Sequence, residues 1–160
     1  MPNVLALFRS FDQTATRWLA DHAVLLLRLS LGIIFLWFGI LKFIPGASPA
    51  EGLAIKTISV LSGGVLPETW IPFGLAAWES LIGIGLLSGV WMRATLLLLL
   101  AQMCGTFTPL VLFSGECFTA PFVPTLEGQY IIKNLVLVAA GLAIGATVRG
   151  GKIHPEPGSQ

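Results

Sequence analysis

Four stretches of the chain are almost unbroken in apolar character, at residues 23–44, 70–89, 91–113 and 130–148. Each is close to the ~20 residues that an α-helix needs to cross the hydrocarbon of a bilayer. Ahead of them, "PNVLALFRSFDQTATRWLAD" spaces Val4, Phe8, Phe11, Ala15 and Trp18 three or four apart. That spacing makes one apolar helical face and predicts a helix over residues 1–22 lying in the membrane interface. Behind them, "RGGKIHPEPGSQ" combines glycine, proline and charge without any period, which predicts a disordered tail over 149–160. The expected architecture is therefore all-α: an interfacial helix, a four-helix transmembrane bundle over 23–148, and a tail.

The connections refine this picture. "VWMR" at 90–93 is so short that the second and third spans must be antiparallel neighbours. Leu53, Ile55, Ile58 and Leu61 predict a short interfacial helix between the first two spans. "SGECFTAPFVPTLEGQ", with two prolines and bulky apolar side chains, is expected to fold back over the bundle.

Residues three, four or seven apart share a helical face. Span one then carries Arg28, Gly32, Phe35, Gly39 and Lys42 on one stripe, and span two Ala76, Glu79 and Gly83. Span three offers Thr95, Gln102, Thr106 and Pro109; span four offers Lys133, Leu137, Gly141 and Gly145. Each span thus pairs polar side chains with small ones on one face. Small residues let helices approach closely in lipid, and polar groups there need partners because water is absent.

Composition supports the membrane assignment. Of 160 residues, 55% are hydrophobic and only 11% charged, against about a quarter in soluble domains. Charge placement orients the bundle. Arg9, Arg17, Arg93, Arg149 and Lys152 gather at one end, while Lys56 is outnumbered at the other by Glu51, Glu68, Glu116 and Glu127. The positive-inside rule places both termini in the cytoplasm. Trp18 and Trp91 fall near the inner interface and Trp70 near the outer one, where amphipathic rings belong. The start of the chain has neither the basic cluster nor the cleavage site of a signal peptide.

Glu79 lies about nine residues from the outer edge of its span, roughly 13 Å deep at 1.5 Å per residue. A carboxylate there needs a partner or a proton. Lys133 and Arg28 both have the length to approach it, and Lys133 is the expected partner. For Arg28, Lys42 and Lys133 a second reading stands beside the first: their side chains snorkel toward headgroups. Intramembrane ionisable residues are functional candidates by default; helix-packing glue is the alternative for Glu79. Cys104 and Cys117 form no CxxC pair. A disulfide between them and two separate thiols are both open readings.

Several classes are disfavoured. His22 and His154 stand alone without metal-ligand spacing, so no metal site is indicated. There is no HExxH, phosphate-binding loop, dinucleotide fingerprint or recognisable hydrolase arrangement. Nothing basic and aromatic suggests nucleic acid.

Three segments carry a family resemblance: "LLRLSLGIIFLWFGILKF" in span one, "AAWESLIGIGLL" in span two and "GQYIIKNLVLVAAGL" opening span four. With these, residues 23–148 resemble the DoxX-like family of small four-helix membrane proteins, and more narrowly its YkgB-type bacterial inner-membrane branch. The matching polar positions are Arg28, Lys42, Glu79 and Lys133. The family usually follows that lysine with aspartate, where this chain has Asn134.

The resemblance implies a bacterial inner-membrane protein linked to redox or envelope stress biology. Two functional expectations follow. One is a non-catalytic accessory subunit that binds a membrane-protein partner or a second copy of itself within the lipid. The other is a site for a quinone or similar lipophilic molecule, with polar contacts from Glu79 and Lys133 and an apolar wall from Phe35, Trp37, Trp78 and Phe107. Enzyme status stays open on this reading.

Overall fold

The computed structural model describes residues 4–48 and 51–151; most of the expected C-terminal tail lies outside the described residues. The first helix, α1 (Val4–Leu41), is continuous for 38 residues. The segment expected to form a separate interfacial helix runs straight into the first span. No glycine or proline interrupts the chain between Val4 and Ser30, so nothing there ends a helix. At 1.5 Å per residue α1 is roughly 57 Å long, well beyond the ~30 Å of a bilayer's hydrocarbon.

The remaining spans are α3 (Ile71–Ser88), α4 (Met92–Phe107) and α7 (Leu126–Thr147). Counted with the helical turns that adjoin them, four helical runs are long and apolar enough to cross a membrane: Phe11–Leu41, Glu68–Ser88, Met92–Leu112 and Leu126–Thr147. The α3–α4 turn is as tight as its length requires. Gly89 adopts the left-handed conformation (φ 74°) that glycine takes without steric cost, and its N–H closes α3 on Gly85 O at 3.0 Å. Chain direction therefore alternates through the bundle, with the α3–α4 turn and the end of α7 at one end and the longer connections at the other.

The described residues of those connections form short elements of their own. After α1, α2 (Glu51–Leu61) precedes a single 3-10 turn, Glu68–Trp70. After α4 come α5 (Pro109–Leu112), α6 (Ser114–Cys117) and a small antiparallel hairpin of β1 (Phe118–Ala120) and β2 (Val123–Pro124). Thr125 then caps α7 by accepting from Gly128 N at 3.2 Å. Lys56 on α2 pairs with Glu116 on α6 and sits 4.4 Å from the centre of the Phe113 ring. The two connections are thereby tied to each other.

Packing sets the corners. α3 packs against α1 and α4, and α7 packs against the same two helices. In this square α3 and α7 are diagonal. The α1–α3 side is the most intimate, and glycine makes it so. A Cβ at Gly83 would lie 2.5 Å from Leu36 N, and one at Gly39 would lie 2.7 Å from Ser80 N. Gly32 meets the side chains of Leu86 and Leu87, the nearest atom 2.9 Å from where its Cβ would lie. Leu31, Phe35, Ile82, Leu86, Leu99 and Ile144 fill the core beside this seam. Ile33, Trp37, Phe38 and Ile40 on α1 point outward, the inversion of a soluble helix that lipid permits.

The seam yields a direct expectation. Gly83→Ala should destabilise the bundle by about 1–3 kcal/mol, because its methyl meets backbone that cannot rotate away. Gly74→Ala, where nothing lies within 4 Å, should be neutral or gain up to about 1 kcal/mol of helix propensity. Denaturant titration in detergent micelles measures both; equal losses would contradict the close-approach account.

Candidate functional site: an intramembrane Lys–Glu–Gln cluster

The α1–α3 seam brings its most polar residues together. Glu79 lies on the inward face of α3, between Ala76 and Gly83, and is 9% exposed. Because Gly39 has no side chain, the end of α1 comes down onto Glu79 and Ser80. Lys42, one residue past that end, then reaches in along the same seam. Its Nζ is 2.5 Å from Glu79 Oε2. From the other neighbour of α3, Gln102 Nε2 on α4 donates to Glu79 Oε1 at 2.5 Å. Both carboxylate oxygens are engaged, each by a different adjacent helix.

This arrangement satisfies the demands of a charge in an apolar surrounding. A buried ion pair is stable only when the remaining lone pairs also find donors. The amide of Gln102 supplies the second donor without adding charge. Two polar atoms beside the cluster are nevertheless buried without a partner, Gln102 Oε1 and Ser80 Oγ. Each presents unused hydrogen-bonding capacity within a few atoms of the carboxylate.

Lys133 does not take the place expected of it. It is exposed on α7, with Nζ 5.8 Å from the centre of the Tyr130 ring. Two causes combine. α7 stands diagonally across from α3, so its side chains face α1 and α4. A row of residues four apart also drifts about 40° per step around an α-helix, whereas alternating steps of four and three hold one face. The stripe 133–137–141–145 therefore winds off, and the stripe 28–32–35–39–42 does not. Asn134 likewise turns to its own helix, donating to Tyr130 O at 2.9 Å.

Arg28 lies within α1 two helical turns and more before Gly39, half-buried against Gly89 at the α3–α4 turn and away from the cluster. The expected aromatic wall is also not assembled. Phe35 is core and Phe107 packs against that core, but Trp37 is 64% exposed on the outside. Trp78 sits partly outside as well and ties α3 to α4 through Nε1–H donating to Leu98 O at 3.1 Å. Cys104 is exposed on α4 while Cys117 is buried, its Sγ 3.6 Å from Pro109 O, and both are free thiols. Burial, then the charges of Glu116 and Glu127, push the Cys117 thiol above the ordinary range and keep it protonated. The role of Ser80 was missed in the sequence, although "WES" sets it directly after the carboxylate.

Comparison with known proteins finds no matching family model, no matching curated protein and no matching solved structure.

The pairing can be separated from its rival by two double-mutant cycles. Glu79→Gln combined with Lys42→Met should couple by more than about 0.5 kcal/mol. Glu79→Gln combined with Lys133→Met should be additive within about 0.3–0.5 kcal/mol. The single Glu79→Gln loss should fall between the ~0.6 kcal/mol average for polar contacts within membrane bundles and the about 3–5 kcal/mol of a broken buried pair. Unfolding free energies in one detergent supply all the terms; coupling to Lys133 alone would reverse the assignment.

Proposed function

We propose that this chain is a DoxX-like protein of the bacterial inner membrane, with both termini cytoplasmic, acting as a non-catalytic accessory subunit that binds a membrane partner or a second copy of itself. In that role it serves redox or envelope stress defence. The observation that carries the reading is the closure of Glu79 on its own neighbours. With both oxygens bonded to Lys42 and Gln102, the carboxylate is a fastener between three helices rather than a free acid or base.

The outward face of α4 supports the binding half of the proposal. Ala94, Ala101 and Cys104 are exposed there, and nothing lies within 4 Å of a Cβ placed at Gly105. Small side chains in that position suit a second helix better than lipid chains, since close backbone approach is what they permit.

A quinone or other lipophilic ligand is the second reading, favoured by the unpartnered Gln102 Oε1 and Ser80 Oγ. A quinol hydroxyl would donate to such an acceptor. On this reading Lys133 has no part and the polar contacts come from Gln102 and Ser80.

Cys104 offers a test. Mild oxidation or a bifunctional thiol reagent in native membranes should join it to a second copy or to one stoichiometric partner, and Cys104→Ser should abolish the product. The same species should co-purify in mild detergent. A strict monomer carrying a reproducible bound quinone would overturn the accessory reading in favour of the second.

A further inference from the structure

One cleft in the molecule lies away from the Glu79 cluster. It opens at the terminal end of the bundle, between α1, the α3–α4 turn and the end of α7, with a volume of about 740 Å³. Its walls are mostly apolar, from Val24, Ile144, Val148 and the exposed ring of Trp91 among others. Two cations, Arg28 and Arg93, line it.

Arg28 sets the chemistry. Its guanidinium is half-buried and lies directly against the backbone of Gly89, whose missing side chain leaves room for Nη1. An arginine does not relieve burial by losing its proton. It therefore needs an anion. Among the described residues none pairs with it: the only ion pairs are Lys42–Glu79 and Lys56–Glu116, both at the other end. Asp12 and Asp21, the described carboxylates of the terminal end, bridge neither Arg28 nor Arg93. No described carboxylate of the chain answers the positive charge of this cleft.

The surroundings restrict what answers it. The anion must tolerate mostly apolar walls, and the cleft lies at the α3–α4 turn and the end of α7, where the apolar spans end. We infer that this cleft is a binding site for an anionic phospholipid. Its headgroup phosphate sits between Arg28 and Arg93, and its acyl chains run down the apolar groove bordered by Val24 and Ile144. Basic pockets between transmembrane helices are suited to such headgroups because each cation near the surface adds attraction. Arg28, held by its packing against Gly89, fixes the phosphate; Arg93, exposed at the rim, adds charge with less orientation. The site is independent of the accessory role and needs no contribution from Glu79.

The test uses full-length protein in detergent, observed by native mass spectrometry with dioleoyl phosphatidylglycerol, dioleoyl phosphatidylcholine or inorganic phosphate added. Phosphatidylglycerol should bind at least about fivefold more tightly than phosphatidylcholine, as one well-placed cation implies. Arg28→Gln should remove most of that preference. Arg93→Gln, at an exposed position that leaves the bundle's packing untouched, should reduce it part-way and serves as the second variant if Arg28→Gln is poorly folded. Equal binding of the two lipids would overturn the proposal, as would a preference undiminished in Arg93→Gln and in folded Arg28→Gln. Saturable binding of inorganic phosphate without any lipid preference would also overturn it, and would assign the cleft to a free anion.

Discussion

A carboxylate in the middle of an apolar helix must be answered by the helices beside it. Glu79 can be reached only from the two corners adjacent to α3, and those corners supply Lys42 and Gln102. The approach of α1 is in turn permitted by Gly39 and Gly83, which bring the backbones together where any side chain would collide. Polar satisfaction and close packing are thus one constraint. In lipid, where apolar burial supplies little force between helices, this combination of small residues and one shared hydrogen-bonded charge is what holds a seam.

The two ends of the bundle handle charge differently. In the half nearer the loops, Lys42–Glu79 within the seam and Lys56–Glu116 in the connections pair charge within the chain, and the second pair also ties α2 to α6. At the terminal end, Arg28 and Arg93 line an apolar cleft and no described carboxylate bridges them. The described ion pairs are thus confined to one half of the bundle, and the cationic cleft lies in the other.

Much of this was legible beforehand because its cause is local. The four spans follow from apolar length, and the tight α3–α4 turn from the shortness of the 90–93 connection. The stripe from Gly32 to Lys42 alternates steps of four and three, stays on one face, and does become the seam. The partner of Glu79 was misread because it depends on which helices share a side of the square. Periodicity assigns a face to each helix but no neighbour. With α3 and α7 diagonal, Lys133 is excluded whatever its depth. Trp37 and Trp78 were misplaced for a related reason: aromatic size suggested an interior wall, whereas lipid accepts large apolar rings on the outside. The continuity of α1 went unread because an amphipathic face and a following span were treated as separate elements when no residue between them breaks a helix.

The account rests on contact between Lys42 and Glu79 inside the bilayer, and that contact is directly observable. Solid-state NMR on protein reconstituted in lipid, with 15N at lysine Nζ and 13C at the glutamate carboxyl, measures through-space dipolar coupling between the two. The lysine signals are assigned by Lys42→Met and Lys133→Met, and the carboxyl by Glu79→Gln. A strong Lys42 Nζ–Glu79 Cδ coupling, consistent with the 2.5 Å ion pair, is the predicted result. Coupling of Glu79 to Lys133, or to no lysine, would contradict it.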